Sequence, residues 1–78
     1  MEMTKELAEL NAAVERMPQC AEVYITRGKY HYGCNSFGAA INDFNRALEC
    51  EPGNTEAKEF LTIIQEILEF RYKDIYNP

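Results

Sequence analysis

The residues best equipped for chemistry in this chain are one histidine, His31, and three cysteines, Cys20, Cys34 and Cys50. His31 and Cys34 stand three positions apart, so on a helix both fall on one side. Zinc takes four Cys and His ligands, and these four residues supply that number and kind. Structural zinc sites, however, usually pair their ligands two to four residues apart on a turn. The cysteines here are spaced by fourteen and sixteen. As a nucleophile and base, Cys34 and His31 have no third group nearby to orient the imidazole. There is no phosphate-binding loop and no pair of carboxylates in an apolar cleft, and the glutamates fall on polar helix faces. The expectation is therefore packed free thiols and a partly buried imidazole, with no catalytic residue, no metal and no cofactor. A small helical metal-binding or catalytic domain using His31 and Cys34 is the alternative.

The chain that must position these groups has 78 residues, 46% hydrophobic and 27% charged, with no tryptophan. That length fits one small domain of marginal size. Eight Lys+Arg against thirteen Asp+Glu give a net charge of −5. An acidic chain repels phosphate on average, so neither nucleic acid nor an anionic membrane is the expected partner. No apolar run approaches the roughly 18 residues of a membrane span. Met1 to Glu6 lack the apolar core of a signal peptide, and an odd cysteine count favours free thiols. Together these predict a cytoplasmic protein.

Apolar residues recur at helical spacing in four segments. Met3, Leu7, Leu10, Val14 and Met17 make one stripe over residues 3–17, and Pro18 cannot continue it. Residues 21–34 place Tyr24, Gly28 and His31 on one face. Glycine inside a helix costs about 1 kcal/mol relative to alanine, a cost tolerated where a bulky neighbour must approach the backbone. Asn35 suits a left-handed turn, and Ser36 is placed to cap a third helix. That helix carries Phe37, Ala40, Ile41, Phe44, Ala47 and Leu48 as its stripe. Pro52-Gly53-Asn54 ends it, and a fourth helix is predicted over 55–72, with Arg71 and Lys73 near its C-terminal dipole and 73–78 as a tail. An all-α domain of four antiparallel helices follows.

The segments repeat. A shift of 34 places Asn11 on Asn45, Ala13 on Ala47, Pro18 on Pro52 and Glu22 on Glu56, and keeps Leu7, Leu10 and Val14 on Ile41, Phe44 and Leu48. Residues 21–54 form one complete unit, in which Tyr24, Gly28, Ala40, Phe44, Ala47 and Pro52 fall at the signature spacing. This unit resembles the tetratricopeptide repeat family, with residues 3–17 as the second helix of a preceding repeat and 55–72 as the first of a following one. Arg27 and His31 depart from it, standing where the family usually has Leu and Tyr. The resemblance implies a right-handed α-α superhelix fragment and a non-enzymatic interaction module. Because the first helix of the first repeat is absent, a piece of a longer solenoid is a further expectation.

In that family the first helix of each pair lines a concave surface. The resemblance therefore places Glu22, Ile25, Lys29 and Tyr32, with Glu59 and Ile63 of the last helix, in a groove for a peptide or partner helix. The Lys, Arg and Asn clamp with which some members hold C-terminal carboxylates has no counterpart at these positions. The last helix also carries surplus apolar residues. Ala57, Leu61, Ile64 and Leu68 suffice to cover the preceding pair, and Phe60, Ile63, Ile67 and Phe70 form a second row. An uncovered row of that kind predicts self-association as a homodimer, unless the tail with Ile75 and Tyr76 folds back over it.

Overall fold

In a computed structural model, residues 4–76 are described, with side chains described for 4–71. Four helices follow one another: α1 (Lys5–Arg16), α2 (Ala21–Gly33), α3 (Phe37–Cys50) and α4 (Thr55–Tyr76). The fold is all-α, with no strand among the described residues. None of the described helices is long and apolar enough to cross a membrane.

Local chemistry sets most helix ends. Thr4 caps α1, its hydroxyl accepting from the Leu7 amide at 3.0 Å, so the helix starts at Lys5 rather than in the predicted Met3 region. Met3 itself lies outside the described residues. At the end of α2, Asn35 adopts φ 61°, the left-handed conformation expected of it. The Ser36 amide then donates to the His31 carbonyl at 2.8 Å and the Asn35 amide to Tyr32 at 3.0 Å, closing the helix in a Schellman turn. With its backbone used this way, Ser36 occupies the N-cap of α3 but makes no side-chain capping bond. Asn54 caps α4 by accepting from the Ala57 amide at 2.8 Å.

Contact registers give the topology. Gly28 lies under Phe44, while Tyr32, further along α2, meets Phe37 at the start of α3, so these helices run antiparallel. Phe44 stacks on Phe60, and Phe37 lies beneath Arg71, which makes α4 antiparallel to α3. Thr4 bonds Tyr30 and Asn11 bonds Arg27, setting α1 antiparallel to α2. The same reasoning makes α2 and α4 parallel neighbours, with Lys29 against Glu56 and Tyr32 against Phe60.

The core sits between α2, α3 and α4. Ala40, Phe44, Ala47, Ala57 and Ile64 are fully buried. A Cβ on Gly28 would sit 2.9 Å from the Phe44 ring. The glycine thus opens the space in which a phenylalanine buries its side chain, a gain of about 1.5–3 kcal/mol against a propensity loss of about 1.

α4 continues to Tyr76, past the predicted end at 72. Nothing in residues 72–76 breaks a helix, and the next proline is Pro78. A backbone helical through Tyr76 does not turn back over α4, so the predicted 73–78 tail supplies no fold-back cover as far as that residue. Asn77 and Pro78 lie outside the described residues. Arg71, expected near the helix end, instead places its guanidinium 5.5 Å from the Phe37 ring centroid, a cation–π contact.

Candidate functional site

Two polar or mixed assemblies stand out, one inside the helix stack and one on its face. Inside, Arg27 projects from α2 between α1 and α3. Its Nε and Nη2 donate to the two carboxylate oxygens of Asp43 at 2.9 and 2.7 Å, and Nη1 donates to Asn11 Oδ1 at 3.0 Å. Asp43 is 3% exposed, and His31 Nε2 lies 3.8 Å from its Oδ2. The bidentate hydrogen bonding to Asp43 raises the Arg27 pKa despite an opposing effect of burial. A cation whose pKa rises on folding contributes stability fully below its unfolded pKa and loses it only above the folded one. Arg27 therefore stays charged through neutral and moderately alkaline solution.

Every buried polar side-chain atom among the described residues has a partner. The junction therefore reads as a structural network that ties α1, α2 and α3 together. Arg27 and His31, the two residues that depart from the resembled pattern, both lie beside the Asp43 carboxylate. Sequence reasoning missed Asp43. The spacing shows it on the arc that α3 buries, among Ala40, Phe44 and Ala47, but not its partner on another helix.

The cysteines do not converge with His31. Cys34 is exposed at the end of α2, Cys20 and Cys50 are half-buried, and all three are free. The Cys50 thiol points toward the Pro18 carbonyl at 3.9 Å. Among the described residues, no three His, Cys, Asp or Glu side chains come together in a geometry that could hold a metal ion.

The second assembly is the face shared by α2 and α4. Glu22 and Lys29 are exposed on α2 and Glu56 on α4, and the structure brings these three together. Glu59 and Ile63 are exposed further along α4, where they border a hollow walled by α4 residues alone. Lys29 Nζ lies 2.7 Å from Glu56 Oε2, with both side chains about half exposed. At the α2 N-terminal end these residues border a cleft of about 420 Å³, also walled by Glu51 and Asn54 of the α3–α4 turn. Ile25, expected on the groove wall, is only 6% exposed and belongs to the core, so it forms the cleft floor. Tyr32 is also drawn inward, its ring edge-on to Phe37 at 5.9 Å and to Phe60 at 5.2 Å.

The predicted outer row of α4 is split. Phe60 is not uncovered: it stacks on Phe44 at 4.9 Å and packs against Tyr32. Ile67 is half-buried against the core. Ile63 and Phe70 do face solvent, at 40% and 83% exposure. The physical reason is that α4 lies against both α3 and α2. It therefore buries a wider arc than the single stripe a one-sided contact would need.

The signature residues divide by role. Tyr24 is buried and donates its hydroxyl to the Pro18 carbonyl at 2.9 Å. Gly28, Ala40, Phe44 and Ala47 form the α2–α3 contact, and Pro52 lies in the turn before α4. No family model, no curated protein and no solved structure matches this chain.

Proposed function

We propose that this chain is a non-enzymatic protein-interaction module of tetratricopeptide type, which holds a peptide or partner helix on the face shared by α2 and α4. One observation carries the reading: along α4, the half-exposed ion pair Lys29–Glu56 is followed by Ile63 and then by Phe70, the most exposed large apolar side chain among the described residues. Apolar anchors beside charged positions are what a recognition surface needs. The buried polar side-chain atoms of the described residues are already paired within the chain, which favours the surface over the interior as the contact site. The repeat reading is supported by the 34-residue period and by the glycine–phenylalanine contact inside residues 21–54.

The test is capture of interacting proteins from a native extract with the wild-type chain and with I63D and F70A. Loss of the captured set in both variants, at unchanged helical circular dichroism, supports the reading. An unchanged captured set places the contact surface elsewhere.

Phe70 also favours a second reading, in which two copies meet through α4. Sedimentation equilibrium decides it. A dimer mass at micromolar concentration that falls to monomer in F70E supports self-association, and a monomer mass in the wild type removes it.

A further inference from the structure

Resting on the α2–α4 face as the contact surface, we infer that the partner is a linear segment carrying lysine or arginine at one end and aliphatic or aromatic residues further along. The charged end is set in the cleft at the start of α2. Glu22, Glu51 and Glu56 wall it against one cation, Lys29. Lys29 is already engaged with Glu56, in a pair exposed enough for water to screen it. Glu51 Oε1 accepts from Asn54 Nδ2 at 2.6 Å. The Glu22 carboxylate makes no hydrogen bond or ion pair among the described residues. An incoming ammonium or guanidinium thus meets net negative charge and has one carboxylate, Glu22, to engage without breaking an existing pair.

The apolar end lies along the same helix. Ile63, Ile67 and Phe70 line a shallow trough of about 640 Å³ with Glu66 and Arg71 at its edges. At 1.5 Å per residue, Ile63 stands about 10 Å and Phe70 about 21 Å beyond Glu56 along the axis. An extended segment crosses the longer distance in about six or seven residues and a helical one in about fourteen. The order is fixed: basic group at the N-terminal end of α4, apolar groups toward its C-terminal half.

Charge also argues against a second copy as occupant. Each chain carries −5, and Glu56, Glu59 and Glu66 all lie along this side of α4. These carboxylates outnumber Lys29 and Arg71 on the same side, so a basic segment is steered in more strongly than a second acidic copy.

The probe is a displayed random library of sixteen-residue peptides, long enough for either conformation, selected on the intact chain. Expected clones combine Lys or Arg with Leu, Ile or Phe at the stated separation. A synthetic enriched peptide should lose about tenfold in affinity on F70A, several-fold on E22Q at low salt, and should weaken as salt rises. Clones without basic residues, or affinity indifferent to E22Q and to salt, overturn the partner chemistry while leaving the face as a binding surface. No enrichment at all overturns the face itself. A micromolar dimer dissociated by F70E assigns the trough to a second copy and also overturns the proposal.

Discussion

The α2–α3 pair and the first helix are held to the same molecule in different proportions of apolar and polar contact. Between α2 and α3 an apolar centre dominates, with Phe44 filling the space above Gly28 beside Ala40 and Ala47, all buried, and the Arg27–Asp43 pair lies on the side toward α1. α1 has no buried residue. Ala13 and Val14 pack against the core from outside it, and hydrogen bonds supply much of the remaining hold, through Asn11 to Arg27 and Thr4 to Tyr30. Apolar burial of this kind is broad and cooperative, whereas a few polar contacts at an edge hold a helix that opens locally. The molecule therefore has a centre whose loss is global and an edge whose loss is local.

The largest effect should come from the centre. F44A removes a fully buried ring stacked on Phe60 and should cost about 3–5 kcal/mol, enough to abolish cooperative melting in so small a domain. A Tm within a few degrees of wild type would mean that the centre does not carry the fold.

An intermediate effect is expected where centre and edge meet. D43A leaves the half-buried Arg27 without its bidentate partner, at a cost of about 2 kcal/mol. R27L together with D43A removes both charges and should be less damaging than D43A alone. Additive losses in chemical denaturation would show that the pair is not coupled.

The smallest effect should sharpen the contrast. N11A should cost about 1 kcal/mol and raise amide exchange in α1 while leaving α2 and α3 nearly unchanged. Equal acceleration in all three helices would make α1 part of one cooperative unit.

These contrasts also separate what could be read along the chain from what could not. Pro18, Asn35 and Pro52 were legible as breaks because each acts on its own backbone within a few residues. Gly28 was legible as a point of close approach, and the Phe44 ring lies over it. Asp43 was not, because a carboxylate within a buried arc has meaning only once its partner is known, and Arg27 is on another helix. Of the groove residues that the resemblance implied, Lys29 and Ile63 are exposed, but Ile25 went to the core.

What the sequence determined by itself is the all-α class, the four helices and the turns between them, since periodicity and caps are local properties. What only the tertiary structure decided is how wide an arc each helix buries. α4 touches two neighbours, and so Phe60 and Ile67 turn inward while Ile63 and Phe70 stay in water. Helical spacing says which residues share a face. The number of helices packed against that face says which of them remain available to a partner.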